Sequence, residues 1–235
     1  MDGKKGIFYG VGIGPGDPEL ITLKAKRVLE SCPVIATPQT SGGKTLALDI
    51  ASQAVNLEGK TIVPLFFTMA RDKEKQHAAH CQAAEEIEKY LAQGLDVAML
   101  NLGDVSIFAT YSYLMEILQG KGYETAMIPG ITSFCAIAAR LSISLTTMNQ
   151  PLHIVPAGGT DLEEALAMPG TKVLMKAGSQ MEEVLETLDK HNLLSHSALV
   201  SSCGLPEEAV YPDLSQNAPE GNTGYFATII VKEGE

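Results

Sequence analysis

The residues best placed to do chemistry lie in one central stretch, Leu100-Asn101-Leu102-Gly103-Asp104-Val105-Ser106-Ile107-Phe108-Ala109-Thr110-Tyr111-Ser112-Tyr113-Leu114. Gly103 and Asp104 end an apolar run and open a loop. Loop amides together with one carboxylate can bind a polar cosubstrate without a metal. A second set, His77, His80 and Cys81, has the i, i+3 and i, i+4 spacing that gathers ligands on one helix face. No further ligand accompanies it, so a solvated helix surface is the simpler reading and no metal is expected. A third, Gly10-x-Gly12-x-Gly14 after an apolar segment, suggests a dinucleotide fingerprint. Residues 15 and 17, where the third glycine would stand, are Pro15 and Asp17, and the fingerprint fails.

These residues need a scaffold. The apolar run at 97–100 reads as a buried strand, with a helix after Ser106 that aligns Ile107, Tyr111, Leu114 and Leu118. A strand that ends in a small-residue loop before a helix is where an open α/β sheet places its ligand. Further strands are expected at 7–13, 33–36, 61–67, 123–128, 152–156, 171–176, 197–202, 208–211 and 225–231. Helices are expected after Asp17, where Asp17 caps and Pro18 sits at the first position, and at 45–54, 71–93, 131–140, 161–167 and 181–190. The helix at 71–93 turns Ala78, Ala83, Ile87, Tyr90 and Leu91 inward and stops at Gly94. Residues 40–43 and 157–160 read as loops. Strand–helix units fill the first half and the second is richer in strands. This predicts two α/β domains, 1–121 and 122–235.

Composition narrows the function. The 235 residues are 45% hydrophobic and carry a formal charge of −11. Such a charge is repelled by nucleic acid and by anionic membranes. A local basic cluster can still hold a small acidic ligand within a screening length of about 8–10 Å. No apolar run approaches the roughly 18 residues of a membrane span, and no export signal is read at the start. The four cysteines are dispersed, without a Cys-x-x-Cys. A cytoplasmic protein with reduced thiols is expected.

Tyr9-Gly10-Val11-Gly12-Ile13-Gly14-Pro15-Gly16-Asp17-Pro18-Glu19-Leu20-Ile21-Thr22-Leu23-Lys24-Ala25, then Leu102-Gly103-Asp104, then Pro129-Gly130-Ile131-Thr132-Ser133, then Val173-Leu174-Met175-Lys176 resemble, in order and spacing, four motifs of the tetrapyrrole methylases of cobalamin and sirohaem synthesis. Residues 106–114 and 133–136 resemble most those that methylate C20 of precorrin-2 or cobalt-factor II. The resemblance implies a tetrapyrrole methylase-like fold with S-adenosylmethionine in a cleft between the two domains, leaving as S-adenosylhomocysteine. It implies donor contacts from Pro15, Leu102, Gly103, Asp104, Ser106, Ile107, Thr132, Ser133 and Lys176, and a homodimer. The acceptor would be a tetrapyrrole in a trough of the N-terminal domain. Its carboxylates call for cations, of which Lys24, Arg27 and Arg140 are the first candidates and Lys44, Arg71 and Lys73 further ones. Val105 replaces the proline usual after the Gly-Asp pair. Thr37 stands where uroporphyrinogen methylases carry an acidic residue, so no catalytic base transfers there. Asp104 is expected to position rather than to catalyse. Whether cobalt is already in the ring stays open. Alternatives are a methylase for another ring position, uroporphyrinogen-III C-methyltransferase, a diphthine synthase or ribosomal-RNA methylase relative, and a non-enzymatic nucleotide-binding module.

Overall fold

The computed structural model describes residues 4–39, 42–43, 45–67, 72–158 and 161–232. The chain divides into two compact units, Met1–Thr132 and Ser133–Glu235. Among the described residues, no helix is long and apolar enough to cross a membrane.

The first unit alternates strand and helix: β1 (Ile7–Gly12), α1 (Leu23–Ser31), β2 (Val34–Gln39), α2 (Leu46–Ala54), β3 (Thr61–Phe66), α3 (Lys73–Leu91), β4 (Val97–Asn101), α4 (Tyr111–Gly120) and β5 (Glu124–Ile128). The strands form one parallel sheet in the order β3-β2-β4-β1-β5. All five residues of β4 are buried, as expected of a central strand covered on both faces. The chain leaves β1 toward β2 but leaves β4 toward β5. With right-handed crossovers these connections run on opposite faces. The carboxyl ends of the adjacent strands β1 and β4 are therefore the switch point of the sheet, where its ligand crevice opens.

Local sequence explains the boundaries. The Asp72 carboxylate accepts from the amides of Glu74 and Lys75 and starts α3. Gly94, at φ +80°, takes the left-handed turn after its end. The inward face of α3 is Ala83, Ala84, Ile87 and Leu91; Ala78, expected there, is exposed. Near Asp17 the chain departs from expectation. Asp17 caps only a single 3-10 turn, Pro18–Leu20. The long helix starts afresh at Leu23, with the Thr22 hydroxyl accepting from the Ala25 amide, because Ile21 is extended and interrupts the run.

Residues of α3 and α4 share one core with Phe8, Val34, Val97 and Met99. Its largest buried side chain is Tyr111. The ring lies over Gly10, where a β-carbon would come within 2.7 Å of it. Its hydroxyl reaches the carbonyls of Phe8 and Ala126, 3.0 Å from each. Burial pushes the Tyr111 hydroxyl pKa up to about 12, so it remains a donor. Tyr111 thus pins α4 to β1 and β5. Tyr111→Phe is expected to lower stability by about 1 kcal/mol, read as an earlier urea midpoint with an unchanged slope.

The second unit opens with α5 (Ser133–Leu141) and continues through β6 (Leu152–Pro156), α6 (Leu162–Ala167), β7 (Thr171–Met175), α7 (Met181–Lys190), β8 (Ser197–Ser201), β9 (Ala209–Tyr211) and β10 (Ala227–Val231). Its sheet runs β6-β7-β10-β8-β9, with β6 and β7 parallel and the other pairs antiparallel. One core cluster gathers Met181, Val184 and Leu188 of α7 under Leu174, Leu199 and Ile229. The boundary expected at 121/122 is corrected: the turn there only joins α4 to β5. Strand β5 pairs with β1, far away in sequence, and so belongs to the first sheet.

Candidate active site

Three loops leave the carboxyl edge of the first sheet side by side, after β1, β4 and β5. Gly14 and Gly103 form an isolated antiparallel bridge, Gly103 N donating to Gly14 O at 2.8 Å and Gly14 N to Gly103 O at 3.2 Å. Both have positive φ, +79° and +73°, which glycine adopts without strain. The third loop closes in behind them. A β-carbon on Gly130 would stand 2.3 Å from the Gly103 carbonyl oxygen and 2.8 Å from backbone atoms of Gly12. One on Gly12 would meet Gly130 N at 2.6 Å. Gly12 at the end of β1 and one glycine from each of the loops after β4 and β5 thus touch backbone to backbone.

Asp104 ties this arrangement together. Its Oδ1 accepts from the Ser106 amide at 2.8 Å and from the Ser106 hydroxyl at 2.5 Å, while Oδ2 accepts from the Gly130 amide at 2.8 Å. Both carboxylate oxygens are therefore used by the chain itself. Asp104 is 8% exposed. Burial acts to raise its pKa, but the hydrogen bonds from Ser106, Gly130 and Val105 together outweigh it and hold the carboxyl below its ordinary value. The folded form is thus stabilised above the ordinary aspartate value near 3.8, and that stabilisation is lost as pH falls through the lower folded value. Acid unfolding of the wild type should show a component below about pH 3.8 that is missing from Asp104→Asn; superimposable acid limbs would contradict it.

Of the residues expected to hold the donor, the first unit brings Pro15, Leu102, Gly103, Asp104, Ser106 and Ile107 onto the paired β1 and β4 loops, and Thr132 onto the connection after β5. Thr132 Oγ1 is enclosed without a hydrogen-bond partner, as is Thr37 Oγ1 on β2. Ile107 is not helical as expected: Phe108 has φ +50° and α4 begins only at Tyr111. Ser133 is the first residue of α5, in the second unit. Lys176 is there too, left-handed at the end of β7, its ammonium 5.3 Å from the Tyr225 ring centre.

Among the cations, Lys24 and Arg27 are exposed, one turn apart on α1, and Lys73 is exposed at the start of α3. Arg140, in the second unit, donates from Nε to Glu208 Oε1 at 2.7 Å. Lys44 and Arg71 lie outside the described residues. His77 Nε2 lies 3.5 Å from Cys81 Sγ, while His80 turns to stack on Tyr113. Gly12 and Gly130 are the partners that reading by motif undervalued. Their signal is a small residue at the end of each strand.

Glycines packed backbone to backbone at the switch point, cross-tied by one carboxylate, stand where open α/β sheets place a ligand. The chain belongs to the tetrapyrrole (corrin/porphyrin) methylases, whose family model matches residues 8–218. It is 30% identical to the cobalt-precorrin-2 C(20)-methyltransferase of Salmonella typhimurium over 99% of its own length and 98% of that protein. It is 36% identical to a Methanocaldococcus jannaschii protein named "Probable cobalt-precorrin-2 C(20)-methyltransferase", covering 75% of this chain and 74% of that one. A crystal structure of uroporphyrin-III C-methyl transferase from Thermus thermophilus, complexed with S-adenosyl homocysteine, shares the fold at a TM-score of 0.66 and 22% identity, covering 97% and 98% of the two chains.

Proposed function

We propose that this chain transfers a methyl group from S-adenosylmethionine to C20 of precorrin-2 or of its cobalt-bearing form, in cobalamin synthesis. The observation that carries the reading is the three-glycine contact at the carboxyl edge of the first sheet. It is formed by the Gly12, Gly103 and Gly130 motifs of the family, in a chain that aligns end to end with a C20-methyltransferase.

The loops suit the donor. They offer main-chain amides and carbonyls, and Thr132 Oγ1 is an enclosed hydroxyl without a hydrogen-bond partner. Pro15, Leu102, Gly103, Asp104, Ser106, Ile107 and Thr132 would hold the donor on the first unit. When bound, S-adenosylmethionine supplies an electrophilic methyl group on a sulfonium. The chain's own part is to hold the two reactants in line and keep water out, which can supply roughly 7–11 kcal/mol of a barrier. Asp104 acts as a positioning residue: it fixes the Gly130 and Ser106 amides. Lys24 and Arg27 are proposed to meet the acceptor's carboxylates. Arg140 would do so only by releasing Glu208.

The proposal extends to a homodimer in the cytoplasm. The four cysteines are free thiols, which suits a reducing compartment; sedimentation of the purified chain tests the dimer. The decisive assay for the activity is incubation with the donor and precorrin-2, with and without cobalt. The expected product is acceptor heavier by one methylene, formed together with S-adenosylhomocysteine. Methylation of uroporphyrinogen III instead would move the chain to another branch of the family.

A further inference from the structure

The carboxyl edge of the first sheet carries a row of aromatic rings that the donor site does not use. Phe67 directly follows β3, His80 lies on α3 and Tyr113 is in the first turn of α4. The His80 and Tyr113 rings are 4.6 Å apart and only 8° from parallel; Phe67 adjoins His80 at 5.9 Å and 55°. Tyr113, the outer ring, is 55% exposed. Helices α3 and α4 pack against each other beneath it. His80 is held toward its neutral form, first by burial and then by the neighbouring His77, so the row is uncharged near pH 7.

Two features make this row more than surface decoration. A nearly parallel stack ending in an exposed ring offers a flat π-face, which suits a flat conjugated ligand better than an aliphatic one. It also follows the donor loop closely along the chain: Tyr113 stands nine residues after Asp104, on the helix into which the Asp104 loop runs. Exposed Phe108 lies on that same loop, its backbone left-handed. Non-glycine residues in that conformation gather at ligand sites.

We infer that Phe67, His80 and Tyr113 form the shelf on which one face of the conjugated acceptor ring lies while its edge meets the donor. This rests on the methyl-transfer reading above and assigns the acceptor's π-face to named residues. The carboxylates of the ring would then project past the shelf toward cations. Specificity for a flat, conjugated tetrapyrrole would come from the stack.

The test uses the full-length protein with S-adenosylmethionine and cobalt-precorrin-2 or precorrin-2 as the probe. Tyr113→Ala should raise the acceptor KM by about 10-fold, the value of one good stacking contact, and raise it by more than it lowers kcat. His80→Ala should act in the same direction, and Tyr113→Phe, which keeps the ring, should restore the wild-type KM. Calorimetric affinity for S-adenosylmethionine should be unchanged in all three. Unaltered acceptor KM in both alanine variants, with far-ultraviolet dichroism like that of the wild type, overturns the shelf. Failure of the wild type to methylate either acceptor is a separate result: it removes the methyl-transfer reading and the shelf with it.

Discussion

Gly130→Ala is expected to weaken binding of S-adenosylmethionine about 100-fold while leaving the secondary structure intact. The added β-carbon would stand 2.3 Å from the Gly103 carbonyl oxygen and 2.8 Å from backbone atoms of Gly12. None of these neighbours is a side chain that can swing away. The loops after β1, β4 and β5 must separate. Overpacking of this kind costs about 1–3 kcal/mol. The larger effect falls on binding, since a site displaced by about 1 Å can lose 10²-fold in performance. Donor affinity should therefore drop by about 100-fold in calorimetry. Gly120→Ala is the matched control. Nothing lies within 4 Å of a β-carbon there, the residue is helical, and the change should be neutral or slightly stabilising.

Asp104→Ala should have the second-largest effect, through a different route. It leaves the amides of Gly130 and Ser106 without their acceptors. Each part-buried donor stranded in this way costs about 1–3 kcal/mol. A loss of about 3 kcal/mol in urea unfolding is expected, with donor affinity lowered about tenfold or more as the Gly130 loop loosens. Asp104→Asn keeps an acceptor for Ser106 but sets an amide against Gly130 N or loses that contact. It should fall between the two. If Asp104 merely touched the donor, Asp104→Ala would weaken binding and leave stability unchanged. The hydrogen bonds predict that both change.

Much of the scaffold was legible because local chemistry determines it. The runs that become β1, β4, β7 and β8 are apolar between turn residues. Gly94 ends α3 with recognisable stop chemistry, and Met181, Val184 and Leu188 give α7 its inward face. The Gly103-Asp104 loop was legible as a break directly after a buried strand. What sequence could not show depends on pairings between distant residues. Strand β5 is short and partly exposed, and only its pairing with β1 assigns it to the first sheet. That moved the boundary from 121/122 to 132/133. The Asp17-Pro18-Glu19 signal is sound helix-start chemistry, yet extended Ile21 lets it start just one turn. His77, His80 and Cys81 share a helix face by spacing, but Tyr113 from the next helix draws His80 into a stack. The mutual contact of Gly12, Gly103 and Gly130 joins the end of β1 to two loops distant in sequence and leaves no local trace beyond the glycines themselves.

The central claim is methyl transfer to one carbon of the acceptor. Its most direct test is turnover with S-adenosylmethionine labelled in its methyl carbon, on precorrin-2 and on the cobalt form in parallel, with the label mapped in the product by nuclear magnetic resonance. The account predicts a single new methyl signal on C20 of at least one of the two acceptors. A label on any other ring carbon, or no label in either product, would contradict it.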